Sequence, residues 1–257
     1  MRSRSHAWSA RLCLVVVSAG LTCFLGGCGG SHEVSEDAGS ARYYAGSFRQ
    51  NQSIALMSFD GGLVYGLYQD EFLGPAAPEF AYAGFFKASF SGSDRTRPRS
   101  GQDFRFNSRQ RVDVRLVDFD IREDSLDVSV QSAAGTEPNW AARATIDQWP
   151  TDSSLLAGSY VLQARSTDDS LKGQATISAA GEIQAVLPNG CQVSVTLRGR
   201  PSGNLYDSTA QFGAFCAVAR GSLKGHAFQS YPTRNVYVLL TAGSSVGVLL
   251  LLVPPTQ

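Results

Sequence analysis

The sequence predicts an all-β chain of two tandem small antiparallel meander barrels, about eight strands each, with two β-sandwiches as the alternative. Three observations predict it. Helical periodicity is nowhere sustained, whereas alternation of apolar and polar residues recurs many times. Turn signals rich in Gly, Pro, Asn and Ser cut the chain at short intervals. The two halves also open alike, Ala45-Gly46-Ser47-Phe48 and Ala157-Gly158-Ser159-Tyr160, and each offers eight strand-length segments. Short turns between such segments favour a meander that closes on itself, which removes exposed edges. Strand number alone does not separate this from a sandwich.

In the first half, strands are expected near 43–50, 53–59, 63–69, 79–91, 103–108, 111–119, 125–132 and 139–147. Asp60-Gly61-Gly62 separates the second from the third. The fourth is aromatic: Phe80, Tyr82, Gly84, Phe86, Ala88 and Phe90 share one face, which either fills a core or lines an apolar cavity. Leu126, Val128 and Val130 alternate with Asp127, Ser129 and Gln131, and Trp140, Ala142, Ala144 and Ile146 alternate with Ala141, Arg143, Thr145 and Asp147. Each such strand has one buried and one wet face, as in antiparallel sheets.

In the second half, strands are expected near 156–164, 173–179, 182–187, 191–199, 204–212, 215–227, 234–241 and 246–253. Cys191, Val193, Val195 and Leu197 alternate with Gln192, Ser194, Thr196 and Arg198. Pro188-Asn189-Gly190, Pro201-Ser202-Gly203-Asn204 and Gly243-Ser244-Ser245 mark turns. The last run, Val246 to Val253, is apolar on both faces, so one face should lie against the other half. Pro150–Ser154 reads as a linker, giving domains at 42–149 and 155–257 that are expected to fold independently. Transmembrane barrels are excluded, because their strands need roughly 9–11 residues with an outward apolar band. Most strands here are shorter and carry Arg, Asp, Gln and Ser outward.

Ahead of these halves, arginines at 2, 4 and 11 precede an apolar run that ends in Leu25-Gly26-Gly27-Cys28. This resembles a bacterial lipoprotein precursor with its lipobox. The run from Leu12 to Leu25 falls short of the roughly 20 residues that span a bilayer. The resemblance implies a signal peptide over 1–27, cleavage before Cys28 and a diacylglycerol on its thiol. Gly29 in place of Asp favours the outer membrane, by resemblance to enterobacterial lipoproteins. The partner implied is the lipid bilayer, held through acylated Cys28. Residues 28–41 are small, polar and acidic, and read as a flexible tether.

The chain has 22 basic and 22 acidic residues, and loss of three arginines with the signal peptide leaves the mature part near −3. Nucleic-acid binding, which needs excess positive charge, is excluded as a general role. After cleavage and acylation two cysteines remain, Cys191 and Cys216. An even pair in an oxidising compartment reads as a disulfide. In a meander both lie at the same end of their strands, so the bridge would strap the mouth of the second barrel.

No catalytic set, cofactor motif or metal motif is present in the sequence. Asp118, Asp120, Glu123, Asp124 and Asp127 lack the spacing of a calcium loop and read as a solvated strand and turn. Arg95, Arg97, Arg99, Arg105, Arg109, Arg111 and Arg115 fall within 21 residues. They read either as an anion site for lipopolysaccharide, an acidic glycan or an envelope protein, or as a solvated loop. Ser202-Gly203-Asn204-Leu205-Tyr206 resembles the Ser-Gly-x-x-Tyr motif of membrane-bound lysozyme inhibitors, although the Lys-Gly segment of that family does not follow. That resemblance implies hydrolase inhibition. The leading expectation is non-enzymatic binding or structural work at the cell envelope. Inhibition of a hydrolase such as lysozyme and action on envelope glycans are the alternatives.

Overall fold

The computed structural model describes residues 41–48, 52–59, 62–69, 82–89, 99–133, 140–146, 152–201, 204–230 and 233–255. The first barrel is built from β1 (Ala41–Phe48), β2 (Gln52–Phe59), β3 (Leu63–Gln69), β4 (Tyr82–Ser89), β5 (Arg99–Arg105), β6 (Gln110–Ile121), β7 (Ser125–Ser132) and β8 (Trp140–Ile146). They pair in chain order, all antiparallel, and β8 returns to β1 with Tyr44 opposite Ile146. The second is built from β9 (Gly158–Ser166), β10 (Ser170–Ile177), β11 (Glu182–Val186), β12 (Gln192–Gly199), β13 (Leu205–Phe212), β14 (Gly221–Gln229), β15 (Val236–Ala242) and β16 (Val246–Val253). It closes in the same way, β16 against β9. The structure therefore has two tandem meander barrels, not sandwiches, and each closure leaves no free strand edge.

β5 and β14 depart furthest from expectation, and β10 also starts early, at Ser170 and not at 173. β5 starts at Arg99 and not near 103. Its polar first residues conceal a strand that pairs fully with 110–116 across the turn at 106–109. β14 starts at Gly221 and not at 215, because the stretch after Gly213 is held as a turn by the Gly213 N–H bond to the Gln192 carbonyl and by the Cys216 bridge.

Alternation sorts the side chains. In β7, Leu126, Val128 and Val130 point into the first barrel, joined there by Tyr44, Leu56, Val64 and Phe86. In β12, Val193, Val195 and Leu197 point into the second, joined by Tyr206, Phe212 and Leu223. These alternating runs place both cores as the sequence implied.

The two barrels pack together into one compact unit along an apolar seam. The second barrel contributes Leu205, Phe228, Tyr237, Leu239, Leu249 and Leu251; the first contributes Met57, Tyr65, Leu67, Phe85 and Phe104 among others. Each such side chain fully buried is worth roughly 1.5–3 kcal/mol relative to exposure. This explains the doubly apolar last strand. Val248, Leu250 and Leu252 fill the second barrel, while Leu249 and Leu251 face the first. Polar bonds also cross the seam. Arg165 donates to the Tyr82 carbonyl at 2.6 Å and to Asn107 Oδ1 at 2.8 Å. Lys87 Nζ donates to Thr241 Oγ1 at 3.3 Å.

Candidate functional site

Among the described residues, the aromatic strand packs core and not a cavity: Phe86 points into the first barrel, and its ring occupies the space above Gly66. Phe85, on the opposite face, packs into the seam at 5.0 Å from the Phe104 ring. Tyr82 does not share the Phe86 face. A register shift beside Ala83 leaves Gly84 opposite Tyr68 and Tyr82 opposite Gln69. The extra residue turns Tyr82 outward, where its hydroxyl donates to that of Tyr237 at 3.2 Å. Phe80 and Phe90 lie outside the described residues.

The arginine run is a β-hairpin, not a loop, from Arg99 onward. Its members do not share one face. Arg105 donates to Asp103 Oδ2 at 2.8 Å, and Asp103 is buried inside the barrel. The same carboxylate accepts the Tyr68 hydroxyl at 2.5 Å. Burial and the Asp103 charge push the Tyr68 phenol well above its ordinary pKa. Arg111 reaches the second barrel and donates to the Ser244 carbonyl at 3.0 Å. Arg109 sits exposed at the turn with a positive φ of 53°, and Arg115 is exposed on β6, with Asp113 between it and Arg111. Arg95 and Arg97 lie outside the described residues, as does the Arg99 side chain.

Two of the acidic residues, Asp120 and Asp127, share one base. Arg122 pairs with Asp120 at 3.0 Å and with Asp127 at 3.2 Å. No group of three or more His, Cys, Asp or Glu side chains placed to hold a metal occurs among the described residues. In the Ser-Gly-x-x-Tyr segment, Asn204 donates to the Gln229 carbonyl at 2.6 Å and Tyr206 is buried inside the second barrel. Burial pushes the Tyr206 phenol up to about 12. A side chain so placed is core, not a reaching residue. Cys28 and the lipobox lie outside the described residues.

Sequence reasoning did not find a polar cluster in the seam. Arg200 gives two hydrogen bonds to Asp207 Oδ1, at 2.7 and 2.6 Å, and His226 Nδ1 lies 3.1 Å from the same oxygen. The first barrel covers this cluster with aromatic rings. Phe59 lies 4.0 Å from the His226 ring and under the Arg200 guanidinium at 4.7 Å, and Tyr65 meets His226 edge-on. Burial alone would raise the Asp207 carboxyl. The hydrogen bonds from His226 and Arg200, with the charge of Arg200, outweigh it and hold that carboxyl below its ordinary value. Three polar residues from separate strands gave no local pattern to read.

At one mouth of the second barrel the Cys191–Cys216 disulfide joins the start of β12 to the β13–β14 turn. It lies at the same strand ends, as the meander argument required. Gly213 N donates to the Gln192 carbonyl at 2.9 Å, which fixes that turn further. Between the cysteine and the glycine stands Phe215, 76% exposed. Beside this mouth an open groove of about 590 Å³ runs over the outer wall of β9–β12. Paired across the strands, its outward side chains form the row Val161–Gln174–Val186–Gln192. A second row is Ser159–Thr176–Gln184. Val161 and Val186 are, with Leu155 and Phe215, the exposed large apolar side chains among the described residues. A signal for Phe215 was present in sequence, a large apolar residue next to a bridged cysteine in a turn.

No family model matches the chain, and no curated protein matches it. Among solved structures the chain is similar to a mutant of the vaccine antigen transferrin binding protein B from Haemophilus parasuis. The identity is 10% and the TM-score 0.25, over 82% of this chain. The chain spans 65% of the length of that protein's chain.

Proposed function

We propose that this is an outer-membrane lipoprotein, acylated at Cys28, that works at the cell envelope by binding and not by catalysis. In this reading residues 1–27 are a signal peptide and 28–41 a tether. A duplicated β-domain follows at 42–149 and 155–257. One observation carries the binding role: the described side chains that point into the barrels pack against one another, whereas three of the four exposed large apolar side chains among the described residues, Val161, Val186 and Phe215, lie on one wall and at one mouth of the second barrel. A filled barrel leaves recognition to outer walls and loops, and loops on a rigid scaffold are where binding groups concentrate. The bridged turn that carries Phe215 is such a loop.

The anchor is tested by Cys28→Ala in the full chain, followed by membrane fractionation and mass measurement. The expected result is a protein left unprocessed or released from the membrane. Normal processing with unchanged membrane attachment would overturn the lipoprotein assignment.

A further inference from the structure

We propose that the outer wall of β9–β12, next to the disulfide-held turn that carries Phe215, binds a neutral oligosaccharide; this rests on the binding role proposed above and names its ligand class. The first ground is charge. The chain carries 44 charged residues, 22 of each sign, yet none lies between Ile183 and Leu197, between Ser208 and Ala219, or between Gly173 and Gly181. These stretches form the groove wall and the mouth beside it. None of the residues lining the groove is charged, and the outward charges nearest it, Lys172 and Glu182, flank the rows and are of opposite sign.

The second ground is the pattern of side chains. Gln174, Gln184 and Gln192 each offer an amide with two donors and one acceptor, and Ser159 and Thr176 add hydroxyls. A purely apolar ligand would strip water from these groups and return no hydrogen bonds. Val161 and Val186 alternate with the amides along the first row, on strands about 4.8 Å apart. A pyranose presents the same alternation, hydroxyl edges beside C–H faces. Phe215 supplies an exposed aromatic face on a turn that the disulfide already holds, so little ordering is lost on binding.

The third ground is size. About 590 Å³ lies within the range of small-ligand sites, roughly 300–1,000 Å³.

The test uses the purified full-length lipoprotein in detergent, titrated calorimetrically with maltoheptaose and chitohexaose as neutral probes and an alginate hexamer as the acidic one. At least one neutral probe is expected to bind with a dissociation constant below about 1 mM. Phe215→Ala and Gln184→Ala are each expected to weaken it about tenfold with the melting temperature unchanged. Both side chains are exposed, so neither substitution disturbs the core. Affinity should be the same at low and high salt, since no charge pair is made. Failure of both neutral probes, or equal binding by the variants, overturns the proposal. Binding of the alginate alone also overturns it, and leaves the broader binding role standing. Self-association abolished by Phe215→Ala would assign the face to a second copy instead.

Discussion

Phe104 of the first barrel rests its ring on Gly247 of the second, and a methyl group at 247 would overlap that ring. The glycine is there for close approach and not for its backbone freedom. Gly247→Val is therefore expected to wedge the barrels apart and cost about 1–3 kcal/mol, the usual range for overpacking. Chemical denaturation of the variant reads this directly. An unchanged midpoint would show that the seam yields without cost.

The seam also couples the barrels. Removing the first would expose Leu205, Phe228, Tyr237, Leu239, Leu249 and Leu251 together. A contiguous apolar patch of that kind drives association. The full chain should unfold in one calorimetric transition, and isolated residues 155–257 should self-associate in sedimentation experiments. Two well-separated transitions in the full chain would mean that each barrel is stabilised on its own.

Within the seam, Asp207→Asn removes the carboxylate that faces Arg200 and His226. Arg200 is buried, so its charge would lose compensation. A cost of about 1–3 kcal/mol is expected, less than for a fully buried pair because the Asp207 side chain is 37% exposed. The pH dependence follows in sign. The folded-state pKa of Asp207 is lowered, so its contribution is full above the unfolded carboxylate value and fades as pH falls through the folded one. The stability gap between wild type and variant should hold near neutrality and narrow below about pH 4. A gap that widens in acid would contradict this.

The Cys191–Cys216 bridge closes a loop of sequence separation 25. Constraint of the unfolded chain by a loop of that length is worth about 3 kcal/mol. The double variant Cys191→Ser with Cys216→Ser should lose about that much in urea denaturation. Equal stability of bridged and unbridged protein would show that the turn is held by its other bonds alone.

Much of the fold was legible because closed antiparallel barrels obey a period of two. Leu126-Val128-Val130 and Val193-Val195-Leu197 fix their faces with no help from distant residues. The cysteines added a register check, since strand order places Cys191 and Cys216 at one end. The rest depended on contacts far apart in sequence. Tyr82 changed face through a register shift that no local pattern announces. Arg105 left the arginine run for buried Asp103, two residues away on the same strand. Arg200, Asp207 and His226 meet only when β12, β13 and β14 pair, and Phe59 covers them only when the two barrels meet. The groove was invisible for another reason. Its signal is a lack of charge spread over four strands, and each strand alone reads as an ordinary wet face.

The same division of labour makes the arginines separable by experiment. Arg109 and Arg115 are exposed, whereas Arg105 compensates a buried carboxylate. If the run binds lipopolysaccharide phosphate, the contact is electrostatic and weakens steeply with salt. Arg109→Ser with Arg115→Ser should then reduce lipopolysaccharide binding at low salt while shifting stability by no more than about 0.5 kcal/mol, as for most surface changes. Arg105→Ser should do the reverse. It strips a charge-assisted bond from Asp103 inside the barrel, so it should cost about 1–3 kcal/mol, with binding by the folded fraction retained. Lipopolysaccharide binding and urea midpoints measured side by side for the three proteins decide the matter. No binding by wild type at low salt, or equal binding by wild type and the Arg109/Arg115 variant, would return the exposed arginines to a solvated surface.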